Sequence, residues 1–156
     1  MVAMKLYIET SVPNMLFHED APELRRMTEE FFQWARVCSD QFYSSAVTEA
    51  EIARAPAALR KKLITALHSL QPELLSITTE SRGLAQAYLR EGILPPKFSD
   101  DALHVAIAVC HRLDVIVSWN MEHLANMRRV ERVNRLNLQY GLPAIRIHTP
   151  AEVMES

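Results

Sequence analysis

The sequence contains few cysteines, and they stand in no metal or redox motif. Cys38 and Cys110 are its two cysteines, and neither lies in a CxxC or CxxxH context. Zinc sites and disulfide frameworks both need cysteines at closer and more regular spacing. The sequence therefore predicts neither of them, and it favours a reducing, cytoplasmic compartment.

Long apolar runs are also missing. Lys5 is followed by a brief apolar run that is far too short for a secretory signal. The uncharged stretch at Ala102–Cys110 is shorter than the roughly 20 apolar residues that cross a bilayer. We therefore expect a soluble cytoplasmic protein with no membrane partner.

A strong charge of either sign is absent as well. The formal net charge is -2, so bulk charge gives no attraction for nucleic acid, and any RNA binding must come from a local patch or a metal. The 156 residues match one ordinary domain, and 49% hydrophobic with 23% charged residues is a globular composition. With no repeat or linker in the sequence, residues 1–156 are expected to form a single domain.

Predicted strands and helices alternate along the chain. The predicted strands are Lys5–Ile8, Phe42–Ser45, Leu74–Ile77, Val115–Ser118 and Ala144–Ile147. The predicted helices are one that begins at Pro22, Thr48–Ala55, Ala57–Leu70, Thr79–Arg90, one capped by Ser99, a short stretch from Met121, Asn126–Tyr140 and a Pro150-led terminal turn or helix. This alternation predicts an α/β domain with a mainly parallel sheet of about five strands, covered on both faces.

Four separate segments each place an oxygen ligand near the end of a strand or the start of a helix. Glu9 follows the first strand, Glu51 lies on the helix after the second, Asp101 opens the most apolar helix, and Asn120 follows the fourth strand. In open parallel sheets such positions meet beyond the carboxyl ends of the strands. Mg²⁺ and Mn²⁺ take oxygen ligands and activate a bound water for attack on phosphorus. The spacing therefore indicates a divalent metal site.

Each of these acids also has an ordinary explanation. Glu9 can be an exposed residue at a strand end, and Asp101 can simply stabilise the first turn of its helix by roughly 0.3–1 kcal/mol. Asp100 competes with Asp101. Glu49 and Glu51 point to nearly opposite sides of their helix, and spacing alone does not choose between them.

Four stretches in this order resemble the PIN-domain family, including the VapC-type toxins of bacterial toxin–antitoxin pairs. They are Tyr7–Ser11 (YIETS), Ser44–Ile52 (SSAVTEAEI), Asp101–Ala108 (DALHVAIA) and Val115–Asn120 (VIVSWN). The third stretch is the most specific of the four. The resemblance implies a three-layer α/β/α PIN-like domain and metal-dependent ribonuclease activity.

The resemblance also implies roles for particular residues. It favours Glu51 over Glu49, because the family's second acid precedes an apolar residue, here Ile52. It favours Asp101 as the third acid. Thr10 and Ser11 match hydroxyl positions that support the first ligand and a nearby phosphate.

Two positions depart from the family pattern. Glu9 stands where the family usually has Asp, and Asn120 is a neutral residue at the fourth acidic position. Glu122 can compensate from the following turn. These departures predict weaker metal binding than in relatives with four acids.

The leading hypothesis is a Mg²⁺- or Mn²⁺-dependent endoribonuclease that acts as the toxin of a toxin–antitoxin pair. Its expected partners are an RNA substrate and an antitoxin protein, and a homodimer stays open. The main alternative is a catalytically weak or inactive PIN-fold module that binds RNA or protein. A small-molecule phosphatase is a weaker reading, since the sequence has no DxDx nucleophile motif.

One helix carries the best basic patch of the chain. Arg128, Arg132 and Arg135 share a face through i+4 and i+3 spacing. They can bind the RNA backbone or an acidic partner segment, or form an ordinary solvated face. His104 is expected to pack in its buried helix and at most to orient Asp101, and core packing is the safer assignment for Trp119 over base stacking.

Overall fold

The fold is built on a parallel sheet of five short strands. The structure is a computed structural model that describes residues 3–155. The strands are Lys5–Ile8 (β1), Gln41–Ser45 (β2), Glu73–Leu75 (β3), Val115–Val117 (β4) and Arg146–His148 (β5). They lie in the order β3-β2-β1-β4-β5, and each neighbouring pair is parallel. The predicted parallel α/β sheet is therefore confirmed.

Helices connect the strands and cover both faces of the sheet. The α-helices are Ser11–Met15 (α1), Pro22–Val37 (α2), Ala46–Ala53 (α3), Ala57–Ser69 (α4), Thr79–Arg90 (α5), Ser99–Cys110 (α6), Met127–Gln139 (α7) and Pro150–Glu155 (α8), with a 3₁₀ turn at Pro96–Phe98. Residues of α5, α6 and α7 share one hydrophobic core, and residues of α1, α2, α4 and α8 share the other. Among residues 3–155, every helix is too short or too polar to traverse a bilayer.

The central strand β1 divides its side chains between the two cores. Leu6 and Ile8 enter the core beneath α2, whereas Tyr7 enters the core beneath α6. This is the alternation that a strand imposes on successive side chains. Because apolar residues cover both faces of β1, its last three residues are buried, and Glu9 directly follows this buried part of the strand.

Three local predictions were wrong. Ser99 does not cap α6, because the 3₁₀ turn runs directly into the helix and Ser99 already has helical backbone angles of φ -62° and ψ -34°. Residues 121–125 form turns rather than a helix. The polar residues and Pro13 after the first strand predict a loop, but residues 11–15 form α1, in which Pro13 lies in the first turn, where a missing amide hydrogen is tolerated.

Candidate metal centre

The acidic residues lie at the switch point of the sheet. β2 and β3 extend from one side of β1, and β4 and β5 extend from the other. Connections leave in opposite directions at such a point, which opens a crevice beyond the carboxyl ends of the strands. Glu9 and Ser118 directly follow β1 and β4, and the Glu9 amide donates to the Val117 carbonyl at 3.1 Å. The fold thus brings the first acid to the crevice.

Glu9 is buried and held by two serines. Glu9 is only 5% exposed, so the alternative that it is an exposed residue at a strand end is wrong. Oε1 accepts from Ser11 Oγ at 2.5 Å and from Ser118 Oγ at 2.7 Å. Both hydroxyl oxygens also accept backbone amides, from Trp119 and Asn120 respectively, each at 2.9 Å. These amides direct the hydroxyl hydrogens toward Glu9.

Glu51 is the second acid of the crevice, and it too has two donors on one oxygen. Oε1 accepts from Thr10 Oγ1 at 2.5 Å and from His104 Nε2 at 2.6 Å. Burial raises the pKa of Glu51, but the hydrogen bond and charge of His104 and the Thr10 hydrogen bond outweigh it, so the pKa lies below its ordinary value. Glu49 is exposed. The structure therefore brings Glu51, and not Glu49, to the crevice.

His104 connects Glu51 to the interior of the sheet. The residue is fully buried, and its Nδ1 lies 2.6 Å from Tyr7 Oη, which in turn lies 2.7 Å from Ser45 Oγ. Burial lowers the pKa of His104, but Tyr7, Glu51 and Glu9 raise it well above its ordinary value. The carboxylate that contacts this histidine is thus Glu51, whereas the sequence suggested Asp101 at most.

Asp101 has the least support of the three acids. Among residues 3–155 it accepts no hydrogen bond, and the nearest basic atom is Nδ1 of His123, 3.9 Å from Oδ2. Burial and the charge of Glu9 raise its pKa to about 6. The neighbouring Asp100 instead pairs with Arg54 at 3.0 Å on the outside. The two adjacent aspartates therefore differ in direction, as their spacing on the helix requires.

Asn120 braces the turn that follows β4. Its Oδ1 accepts from the His123 amide at 3.0 Å, and its carbonyl accepts from Leu124 at 3.0 Å and Ala125 at 2.9 Å. Glu122 is exposed in the same turn. The side-chain oxygen proposed as a ligand is therefore already engaged in a local hydrogen bond, although a carbonyl oxygen has a second lone pair.

The turn adds a histidine to the rim of the crevice that the sequence did not single out. The His123 ring lies against the Phe98 ring, with centroids 3.8 Å apart. The signal available in the sequence was weak, because His123 stands in no catalytic motif. Trp119 lies in the core, where its Nε1 donates to Thr28 Oγ1 at 2.8 Å, so the safer assignment of this residue holds.

The donor set fits a divalent cation. Glu9, Glu51 and His104 offer ligand atoms that all lie within 4.8 Å of one another, and Asp101 is close enough for their charges to shift its pKa. Carboxylates brought this close repel one another when they are ionised, and a divalent ion offsets that repulsion. Carboxylate oxygens suit Mg²⁺ and Mn²⁺. The arrangement is chemically suited to hold such an ion.

The three arginines of the basic patch lie on the outer face of α7. Arg128, Arg132 and Arg135 are exposed, and Arg132 Nη2 lies 3.4 Å from the Glu91 carbonyl. Arg129 has a different part, because its Nη1 donates to the His123 carbonyl at 2.8 Å and so braces the turn. The patch therefore consists of the three residues whose charges face solvent.

Solved toxin–antitoxin complexes contain chains with this fold. A chain of VapBC2 from Rickettsia felis bound to a promoter DNA fragment aligns with a TM-score of 0.55 at 11% identity, over 94% of this protein and 98% of that chain. A chain of a Klebsiella pneumoniae toxin–antitoxin complex gives 0.58 at 19% identity, over 80% and 93%. A chain of DNA-bound VapBC from Salmonella typhimurium gives 0.56 at 22% identity, over 94% and 98%.

These likenesses establish the fold. The three-layer α/β/α PIN-like architecture expected from the sequence is confirmed, and the resemblance to the PIN-domain family holds at the level of the fold. No protein-family model and no curated protein sequence matches this chain.

Proposed function

We propose that this protein is a metal-dependent ribonuclease and the toxin of a toxin–antitoxin pair. The observation that carries the proposal is the cluster of Glu9, Glu51 and His104 at the switch point of a PIN-like sheet, with Asp101 close enough to feel the charges of both glutamates. Carboxylates brought together repel one another, and Glu9 and Glu51 are nevertheless held in place by dedicated donors. Carboxylate oxygens that are oriented and held close together in spite of their like charge are typical of a cation site.

The residues of the crevice have separate parts in this proposal. A bound Mg²⁺ or Mn²⁺ would supply an acidified water and polarise the scissile phosphate. Glu9, Glu51 and Asp101 would hold the ion through carboxylate oxygens. Ser11 keeps Glu9 in place, and Thr10 does the same for Glu51.

Asn120 would complete the site mainly through the turn that it braces. That turn places His123 beside Asp101, at the mouth of the crevice. Glu122 is exposed on the same turn, where it can approach an ion only through water or a change of rotamer. It is therefore a supporting residue at most.

The sharpest test is RNA cleavage with a matched pair of variants. Single-stranded RNA is incubated with the protein in Mn²⁺, Mg²⁺ or EDTA. We expect cleavage with either ion and none with EDTA. Asp101→Asn should abolish cleavage, whereas Asp100→Asn, one residue away and paired with Arg54 outside the crevice, should leave it unchanged. Equal cleavage by wild type and Asp101→Asn would reject this site.

One observation favours a second candidate, a binding module without turnover. The fourth acidic position is the neutral Asn120, whose Oδ1 already accepts a backbone amide. In that case RNA or antitoxin binding would persist while no ion supported cleavage. The same incubation separates the two candidates when RNA binding is measured beside cleavage.

The RNA backbone is proposed to contact the basic patch of Arg128, Arg132 and Arg135. Replacing all three with Gln should weaken RNA binding and reduce its dependence on salt, by up to about 0.7 in slope for each lost phosphate contact. The variant should still cleave RNA with either ion and not with EDTA. Unchanged affinity and salt slope would leave the patch as an ordinary solvated helix face.

An antitoxin segment is proposed to occupy the groove between α1, α2 and α4. The groove has a volume of about 590 Å³, and its apolar lining includes Leu16, Phe17 and Phe32. Three basic residues, Arg36, Lys61 and Lys62, and one acid, Glu29, also line it. Lys62 Nζ lies 5.9 Å from the Phe17 ring. This lining suits an amphipathic segment with acidic residues. Phe17→Asp should abolish co-purification with the product of the neighbouring gene and leave RNA cleavage intact.

A further inference from the structure

We propose that His104 is a positioning residue for Glu51 and not a ligand of the metal. With Thr10 it holds Oε1 of Glu51, so that Oε2 is the oxygen left for the ion, and Tyr7 with Ser45 fixes the imidazole in turn. This inference rests on the metal centre of the proposed function and adds the means by which one of its ligands is oriented.

The hydrogen-bond chemistry assigns the direction of each contact. A carboxylate only accepts hydrogen bonds, so the 2.6 Å contact between His104 Nε2 and Glu51 Oε1 requires a hydrogen on Nε2. A nitrogen that carries this hydrogen has no lone pair for a metal. Thr10 Oγ1 donates to the same oxygen at 2.5 Å. Two donors therefore converge on one oxygen of Glu51, and the other oxygen has the freedom to bind a cation.

The imidazole itself is fixed from its other side. Nδ1 of His104 lies 2.6 Å from Tyr7 Oη, and Ser45 Oγ lies 2.7 Å from the same hydroxyl. Ser45 Oγ also accepts the Val47 amide at 3.1 Å, at the start of α3. The side chains of His104, Tyr7 and Ser45 are buried, whereas those of Thr10 and Glu51 are partly exposed. The contacts therefore form a closed path. It begins at the start of α3, passes through Ser45, Tyr7 and His104, and returns to α3 at Glu51.

This closed loop explains why a polar residue stands in the most apolar helix of the chain. The neighbours of His104 in α6 include Val105, Ala106 and Ile107, all fully buried. A buried imidazole without partners would be strongly destabilising, and an aliphatic residue would pack there more simply. The partners of His104 lead directly to a carboxylate of the crevice. In metal sites, groups that hold a ligand in this way typically change affinity by about 10–100-fold when they are removed.

The test measures Mn²⁺ binding by the full chain without RNA. His104→Gln keeps an amide donor that can reach Glu51, whereas His104→Leu keeps apolar volume and removes the donor. We expect Gln to retain affinity within about threefold and Leu to lose about tenfold or more. If His104 only filled space, His104→Leu would keep Mn²⁺ affinity better than His104→Gln. Equal affinity of His104→Leu and wild type would therefore overturn the proposal.

Pulsed EPR of bound Mn²⁺ separates a positioning role from direct ligation. The wild type should show no directly bound imidazole nitrogen. A nitrogen coupling of that kind, lost in His104→Gln, would overturn the proposal and make His104 a ligand.

Tyr7→Phe provides a second variant that keeps the packing of the core. It removes only the hydroxyl that contacts His104, and we expect Mn²⁺ affinity to fall by a factor of about three. Tyr88→Phe is the matched control, because Tyr88 is equally buried and donates to Asn137 at 2.5 Å, remote from the crevice. It should lose stability without losing Mn²⁺ affinity. Equal affinities of Tyr7→Phe and wild type would overturn the part assigned to Tyr7.

The outcomes also separate this inference from the proposed function. If wild-type protein binds Mn²⁺ but cleaves no RNA, the proposed ribonuclease activity is rejected. The variants above would still decide the role of His104. Wild-type protein that binds no Mn²⁺ would overturn both.

Discussion

Two kinds of carboxylate meet in the crevice, and they differ in how the fold treats them. Glu9 and Glu51 each have one oxygen that accepts two side-chain hydrogen bonds at 2.5–2.7 Å. Asp101 accepts none among residues 3–155, and burial with the charge of Glu9 raises its pKa to about 6. The first two carboxylates are therefore held in place by hydrogen bonds without a metal, whereas Asp101 is the acid that gains most from a bound cation.

The donors of the two supported acids also differ. Glu9 is held by neutral serine hydroxyls, and Glu51 is held by a threonine and by a histidine whose pKa is raised. Hydrogen bonds from a charged donor are roughly twice as strong as those from neutral groups. The hydrogen bonds that hold the Glu51 carboxylate are therefore stronger than those that hold Glu9, and Asp101 has none within the described residues.

Between the two supported acids, the larger effect on cleavage is expected when Glu51 is neutralised. Glu51→Gln should reduce metal-dependent cleavage by on the order of 100-fold, because it replaces a charged ligand with a neutral amide and removes the charge that faces His104. Initial cleavage rates at several Mn²⁺ concentrations measure the loss. Glu49→Gln, two residues away and exposed, is the control and should behave as wild type. Near-normal rates for Glu51→Gln would break the distinction between these two glutamates.

A smaller loss is expected for Glu9→Asp. From the sequence alone, a glutamate at a position where relatives carry Asp predicts that this change restores metal binding or speeds cleavage. The structure reverses that expectation, because Ser11 and Ser118 both meet the longer side chain at Oε1. Shortening it withdraws the carboxylate from both donors.

We expect Glu9→Asp to lower Mn²⁺ affinity by about tenfold, as measured by calorimetry. Glu9→Gln keeps the length and both hydroxyl contacts, so it separates the loss of charge from the loss of reach. Tighter Mn²⁺ binding by Glu9→Asp would show that the methylene weakens the site, as the sequence first suggested.

The elements of the fold were largely predictable, because they depend on local patterns. Apolar runs such as Lys5–Ile8 mark buried strands, and the apolar course of α6 marks a helix packed on a sheet. The acids follow from the same patterns, since strand ends converge in a parallel sheet. The cap predicted at Ser99 was wrong and the turn after Asn120 was missed, because such features depend on how a preceding turn or a side chain meets the backbone.

The donors around the acids could not be predicted from spacing. Tyr7 lies in β1, Ser45 ends β2, and Ser118 directly follows β4. Only the packed sheet brings Ser118 to Glu9, and Ser45 with Tyr7 to His104. One signal was present: polar residues at buried positions of a parallel sheet require hydrogen-bond partners. That signal identifies the residues that need a partner, but the choice of partner depends on tertiary packing.

A moderate effect is expected when a donor to Glu9 is removed. Ser118→Ala deletes the hydroxyl that donates to Glu9 and accepts the Asn120 amide, so it should cost about 1 kcal/mol in stability and reduce cleavage by about fivefold. Urea unfolding and initial rates measure the two effects. Ser44→Ala is the control, because this buried serine donates to the Ile8 carbonyl and not to an acid. It should lose stability and keep activity; equal loss of activity by both variants would contradict the role of Ser118.

The smallest effect concerns the stability of the metal-free protein. Replacing Asp101, which has no hydrogen-bond donor among residues 3–155, should change stability in the opposite direction to replacing Glu51. The pKa of Asp101 is raised from 3.8 to about 6 in the fold, so its contribution to stability is most favourable below pH 3.8 and is lost as the pH rises through 6. At pH 7.5 in EDTA, Asp101→Asn should therefore stabilise the protein by about 1 kcal/mol, or about 2–4 °C in Tm.

That gain should shrink at pH 5, where the folded protein already carries a proton on Asp101. Glu51→Gln should instead destabilise the protein at both pH values, because the pKa of Glu51 is lowered and its contribution disappears only as the pH falls below about 4.5. Thermal melts at the two pH values measure both trends, with Asp100→Asn as the control at the same helix terminus. A destabilising Asp101→Asn at pH 7.5 would mean that Asp101 has a partner in the folded protein, and the contrast between the two kinds of carboxylate would fail.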